Sequence, residues 1–156
     1  MGLELVVVLN NVSSPQRLTD VAKLVYGLSG LKAGLVVTRV SGMAAQSGVP
    51  EVSKYAFRRG RPFLVLPSLQ DALDMLRPDR VLVLAKTEVS KDVGEVVSRL
   101  EGRVAVLVNG SDSPPTKAEL ALGEHVTVAG FDESLPPQAA LAVVLYLITS
   151  KRAENI

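Results

Sequence analysis

The sequence predicts an α/β fold, a mainly parallel sheet flanked by helices, in a single domain spanning residues 1–156. Three observations predict it. Leu3–Leu9 (LELVVVL) is a nearly continuous, Val-rich apolar run, which is how a strand covered on both faces of a parallel sheet reads. Further short apolar runs follow at Leu35–Val40, Phe63–Leu66, Val81–Ala85, Val104–Val108 and His125–Ala129, with helical stretches between them. The 156 residues are 47% hydrophobic, enough for one substantial core, and no repeat or linker divides them.

The elements follow in order. After the first strand, Asn10–Gln16 (NNVSSPQ) is a turn. Either Ser14 caps a helix with Pro15 at its first position, or Ser13 and Gln16 form a capping box. Leu18, Val21, Ala22, Val25 and Leu28 mark one helical face, which Gly27 and Gly30 end. Ser41–Gly48 (SGMAAQSG) is a small-residue loop, and Pro50–Arg59 a short helix ending at Gly60. Ser68 caps a helix through Leu76, and Ser90–Leu100 is helical despite Gly94. Thr116 and Glu119 form a capping box, Pro137–Ser150 is the last helix, and Lys151–Ile156 reads as a frayed tail.

Composition narrows the chemistry. With no cysteine, disulfides, thiolate catalysis and Cys-based metal sites are excluded. The single histidine, His125, argues against a His-based metal cluster or a Ser-His-Asp triad, so no metal is expected. A net charge of +1 does not by itself point to nucleic acid. No apolar run reaches membrane-span length, and the N-terminus lacks the basic start and cleavage site of a signal peptide. No membrane partner and a cytoplasmic location are expected. There is no GxxxxGK[ST], and Gly27, Gly30 and Gly34 surround a helix end instead of forming GxGxxG after a strand.

The last third, Val104–Ile148, holds two polar loops, each after the carboxyl end of an expected parallel strand. Ligands bind there in open α/β sheets. Three segments carry a further signal: VSSPQRLTDVAKLVYGL (Val12–Leu28), VNGSDSPPTKAEL (Val108–Leu120) and VAGFDESLPPQAALAVVLYL (Val128–Leu147). Their order and spacing resemble the SpoU branch of the SPOUT methyltransferases, the α/β trefoil-knot enzymes. Gly110, Ser111 and Asp112 match the GSE of that family, with Asp for Glu. Ser134 and Leu135 match its SL, with Pro136 in place of Asn. Arg17, Thr19 and Lys23 stand where the family has Asn, Gly and Arg.

That resemblance implies a C-terminal knot, a homodimer, and S-adenosyl-L-methionine read largely by backbone groups. It places Val108, Asn109, Gly110, Val128, Gly130, Leu135 and Ala139 at the cofactor. It implies ribose 2′-O-methylation of tRNA or rRNA, with Arg17, Lys23 and Ser134 as catalytic candidates. The departures favour as alternative a non-catalytic RNA- or partner-binding protein on the same fold. A flavodoxin-like or receiver-type domain without a knot also fits the element pattern. Plainer readings stand beside each site: NGSDSPP as an ordinary turn, Lys23 as a solvated cation, His125 as an edge residue. Lys54–Arg61 (KYAFRRGR) reads equally as an RNA contact or as a solvated helix end with cations near the negative end of its dipole.

Overall fold

Seven strands form one sheet in the order β3-β2-β1-β6-β4-β7-β5, and every pairing is parallel. The computed structural model describes residues 2–131 and 135–154. Chain order is β1 (Leu3–Asn10), α1 (Pro15–Gly27), β2 (Ala33–Thr38), α2 (Val49–Arg58), β3 (Phe63–Leu66), α3 (Leu69–Leu76), β4 (Arg80–Leu84), β5 (Lys91–Asp92), α4 (Val93–Val96), β6 (Gly102–Asn109), α5 (Lys117–Leu120), β7 (Glu124–Thr127) and α6 (Pro137–Glu154).

The apolar reading of β1 holds: Leu5 through Asn10 are all buried, because β1 lies mid-sheet between β2 and β6 with helices over both faces. Alternate side chains enter two cores. Leu5, Val7 and Leu9 join α1, α2, α4 and α6 on one face. Val6 and Val8 join Leu69 and Ala72 of α3 on the other.

Local signals set the helix starts. Ser14 caps α1 by accepting from the Arg17 N–H (3.2 Å), with Pro15 leading the helix, so the first of the two capping alternatives forms. Ser68 caps α3, and the Thr116–Glu119 capping box starts α5.

Three expectations are corrected. Ala44–Gly48 winds into a π-helical turn and not a loop, since Ser41 and Ala44 donate to the Val12 and Ser13 carbonyls and Gly48 lies against Pro15 and Leu18. Ser90–Leu100 is not one helix: Ser90 donates to the Ala85 carbonyl, Lys91–Asp92 pairs with β7, and only the four residues of α4 and a 3₁₀ turn at Val97–Arg99 are helical. The expected tail, Lys151–Ile156, is helical over residues 151–154, which continue α6, and residues 155 and 156 lie outside the described residues. The connection that would form the knot includes residues 132–134, outside the described residues. No helix among the described residues is long and apolar enough to cross a membrane.

A candidate functional site at the carboxyl end of the sheet

Strands β4, β6 and β7 end side by side, and the loops that leave them enclose an open cleft of about 620 Å³. Leu84, Val108 and Val128 form an apolar floor. Asn109, Thr87, Thr127, Lys86 and Asp112 supply polar groups, and Phe131, 51% exposed, stands at the edge. Prolines 114, 115, 136 and 137 stiffen two of the walls.

Hydrogen bonds between distant segments hold those walls. Asn109 folds the NGSDS loop on itself: its Nδ2 donates to the Ser113 carbonyl and its Oδ1 accepts from the Ser111 N–H at 3.3 Å. Beneath, Asn10 is buried at the end of β1. Its Oδ1 accepts from Thr38 Oγ1 (2.8 Å) and its Nδ2 donates to Glu119 Oε2 (2.6 Å). Glu119 Oε1 also accepts from the Thr116 N–H (3.0 Å), so this network locks α5 to the middle of the sheet.

His125 braces the opposite wall. Its Nε2 lies 2.6 Å from the Leu120 carbonyl, which can only accept, so Nε2 carries the proton. Nδ1 then accepts from the Thr87 hydroxyl at 2.7 Å. Ser90 Oγ donates to the Ala85 carbonyl (2.7 Å) and accepts from the Thr87 N–H (2.7 Å), closing the 85–90 turn behind Thr87.

Of the cofactor positions expected from sequence, Val108, Asn109, Val128 and Leu135 line this cleft. Gly110 does not: its N–H donates to the Asn10 carbonyl (2.6 Å) and its carbonyl accepts from Arg17 Nη1 (3.1 Å). A Cβ there would meet Val12 Cβ at 2.8 Å, so the glycine allows the β6 loop to close on β1. Gly130 has φ +91° and serves the turn after β7, outside the cleft lining.

Ala139 and Lys23 border a different groove, about 490 Å³, between α1 and the start of α6, together with Asp20, Leu24, Pro136 and Gln138. Lys23 is exposed there. Arg17 fastens α1 to the β6 loop, pairing with Asp112 (3.2 Å) as well as Gly110. Its Nε is buried without a partner. Ser134 lies outside the described residues. The two described catalytic candidates therefore take different places, Arg17 against the β6 loop and Lys23 on the groove beside α6. Thr87, Lys86, Phe131 and the bracing His125 were missed by the sequence reading, and only the strand-end position of Lys86–Thr87 could have pointed to them. Among the described residues no three Asp, Glu or His side chains gather into a metal-ligating group.

Comparison with known proteins divides along the line between fold and family. A family described as RecB-family nuclease (DUF2122) matches residues 42–147. Over 149 residues the chain is 40% identical to "Putative type II restriction enzyme ApeKORF2002P" of Aeropyrum pernix, spanning 95% of this chain and 94% of that one. It is 27% identical to "Putative type II restriction enzyme MjaORF1200P" of Methanocaldococcus jannaschii, over 92% and 94%.

Solved structures agree in shape. The SpoU methyltransferase AviRb of Streptomyces viridochromogenes, in complex with AdoMet, superposes with TM-score 0.77 at 19% identity, covering 97% of this chain but only 61% of its own length. A structure described as giving insights into 2-OH methylation of C/U34 on tRNA has TM-score 0.77 at 16% identity, over 98% of both chains. At such identities the likeness shows the fold alone, and the SPOUT-type α/β fold expected from the sequence is present.

The rest of the resemblance is corrected. Assignment to the SpoU methyltransferases, and with it RNA ribose methylation or a non-catalytic RNA- or partner-binding role on that fold, is overturned by the nuclease family match and the relatives named as restriction enzymes. The physical reason is visible in the three segments. Their order of strand, loop and helix is a property of the fold. The side chains that would carry the methyltransferase chemistry are changed at Arg17, Lys23 and Pro136.

Proposed function

The chain belongs to the family described as RecB-family nuclease (DUF2122), and from that premise we propose that it is an enzyme acting on nucleic acid whose working cleft takes an adenosine-containing ligand of the S-adenosylmethionine class. The observation that carries this reading is the cleft at the carboxyl ends of β4, β6 and β7, where α/β sheets bind their ligands. Its about 620 Å³ fall within the range for small-ligand sites.

The donor set fits the ligand. Leu84, Val108, Val128 and Leu135 offer an apolar bed for a purine, and Phe131 an aromatic face at its edge. Lys86 offers a cation to a carboxylate, and Asp112 a carboxylate to an ammonium or sulfonium. Among the described residues, the backbone groups after β6 and β7 that would serve the adenine edge exclude both groups of Gly110, the Ser111, Ser113 and Ala129 N–H groups and the Ser113 carbonyl, which are already engaged. S-adenosylmethionine, when bound, supplies an adenosine and a positively charged sulfonium; this reading uses it as the occupant that orders the cleft and assigns no transfer from it. Arg17, beside the β6 loop, and Lys23, on the adjoining groove, are the cations assigned to a phosphodiester in this reading.

Calorimetry of the pure protein with S-adenosylmethionine and S-adenosylhomocysteine tests the ligand. Val128→Trp, which fills the floor, is expected to abolish the heat. No heat with either ligand on folded protein sinks the assignment. Incubation with plasmid DNA and with bulk RNA, with and without Mg²⁺, tests the substrate. Strand cleavage that Arg17→Ala weakens is the expected result, and intact nucleic acid under every condition removes the enzymatic half.

A further inference from the structure

Positive charge is unevenly distributed along this chain. Between Ser29 and Gln70 stand six cationic residues and a single carboxylate, Glu51, a local excess of five in a chain whose total is +1. Five of the six gather at one place: Lys32 just before β2, Lys54 and Arg58 on α2, and Arg59 and Arg61 in the turn into β3. Both strands begin there, so this is the amino end of the sheet, the pole opposite the cleft.

These cations do different jobs. Arg59 stacks over the Tyr55 ring (4.7 Å to the centroid) and donates to the Tyr26 carbonyl (3.5 Å). Arg61 lies over the Tyr26 ring (5.4 Å) and donates to the Ala33 carbonyl (2.5 Å). Arg59 thereby ties α2 to α1, and Arg61 ties the turn after α2 to α1 and β2. Lys32, Lys54 and Arg58 form no hydrogen bond or ion pair among the described residues. Between Lys54 and Arg58 on the outer face of α2 stands Phe57, 87% exposed, while Val52 and Ala56 seat the inner face on the core. Attraction to the helix dipole accounts for a cation such as Arg58 in the last turn. It does not account for an outward aromatic ring, nor for Lys32, which lies on no part of the helix.

We propose that this face binds single-stranded nucleic acid, with Lys32, Lys54 and Arg58 on backbone phosphates and a base stacked on Phe57. The ring selects a single strand, because only an unpaired base can leave its neighbours to stack on protein. The proposal takes its partner class from the nucleic-acid reading above, but its residues share none with the cleft. It makes the amino pole a second contact, which anchors a strand independently of the cleft ligand.

Fluorescence anisotropy with a labelled single-stranded oligonucleotide, as RNA and as DNA, and with the matching duplex tests it, across about 50 to about 200 mM salt. Three phosphate contacts predict a log–log salt slope of about −2 for single strands. Lys54→Ala with Arg58→Ala is expected to bring that slope to about −0.7. Phe57→Ala is expected to weaken single-strand binding roughly five- to 150-fold, with the slope and any duplex binding unchanged. The RNA and DNA arms identify which strand is preferred. All three side chains are exposed, so thermal melting and cleft-ligand calorimetry of the variants should match the parent protein. Loss of cleft binding with these slopes intact would therefore remove only the cleft assignment. Absence of single-strand binding, or variants that bind like the parent, overturns the proposal.

Discussion

Tyr26 carries its phenol into the packing between α1 and the start of β3, where it is 2% exposed and donates to the Pro62 carbonyl at 2.8 Å. Burial pushes this phenol well above its ordinary pKa of 10.0, against the opposing pull of the Arg61 guanidinium. The folded chain therefore keeps a proton that the unfolded chain gives up. That stabilisation is whole below about pH 10 and is lost as pH rises beyond it. Denaturant unfolding between about pH 8 and about pH 11 should show stability falling at the alkaline end. Tyr26→Phe should flatten that fall, and equal slopes for the two proteins would refute the assignment. Gly110 makes the second residue-scale prediction. A Cβ there would lie 2.8 Å from Val12 Cβ and 3.1 Å from the Asn10 carbonyl oxygen, so Gly110→Ala should cost about 1–3 kcal/mol in urea unfolding. Because the crowding is with β1 and not with the cleft, the folded variant should retain cleft-ligand affinity. A variant as stable as the parent but blind to ligand would show the glycine to be a ligand contact instead.

At the scale of elements, the Thr87 turn depends on His125, one residue inside β7. His125→Phe keeps a ring of similar bulk but removes the hydrogen bonds to the Leu120 carbonyl and to the Thr87 hydroxyl, both part-buried, at a net cost of about 0.5–1.5 kcal/mol for each bond lost. The turn that forms one wall should loosen, and ligand affinity by calorimetry should fall about tenfold, the factor that corresponds to about 1.4 kcal/mol. Unchanged affinity would make His125 a purely structural brace. The same pair shows what the sequence could and could not disclose. The loops after β6 and β7 were legible as a ligand end because apolar runs mark where strands end, whereas Val108, Asn109 and Val128, which line the cleft, were singled out only through the family resemblance. Ser14, Ser68 and Thr116 were legible as caps because a cap is a contact of three residues or fewer. The Thr87–His125 contact joins residues 38 apart, and nothing in either neighbourhood encodes the other. The π-turn at Ala44–Gly48 was hidden for the same reason, since the Val12 and Ser13 carbonyls that hold it belong to another segment. The family itself was misread because the order of loops and helices belongs to the fold, which the chain shares with proteins at 16% and 19% identity.

Over the whole molecule, cleft and core are one cooperative object. Leu141, fully buried on α6 just past the proline-rich entry to the cleft, packs in the same apolar cluster as Val108, Val126 and Val128 at the strand ends. Leu141→Ala should lower stability by about 2–5 kcal/mol, the range for emptying a buried leucine site. The cleft walls come from the loops after β4, β6 and β7 and from the start of α6, segments more than 50 residues apart at the extremes, so no local unit can hold them once the sheet opens. An occupant must then favour the folded chain alone. At one hundred times its dissociation constant a ligand should add about 2.7 kcal/mol. For a domain of this size that is a rise in melting temperature of about 5 to 10 °C, at about 2–4 °C for each kcal/mol. Leu141→Ala should start lower and show a like increment in free energy, because its cavity lies in the core and leaves the cleft lining in place. Thermal melting of both proteins with and without S-adenosylhomocysteine measures the two increments. If the parent gains stability and the variant does not, the α6 core itself shapes the pocket. If neither gains, the ligand does not occupy this cleft.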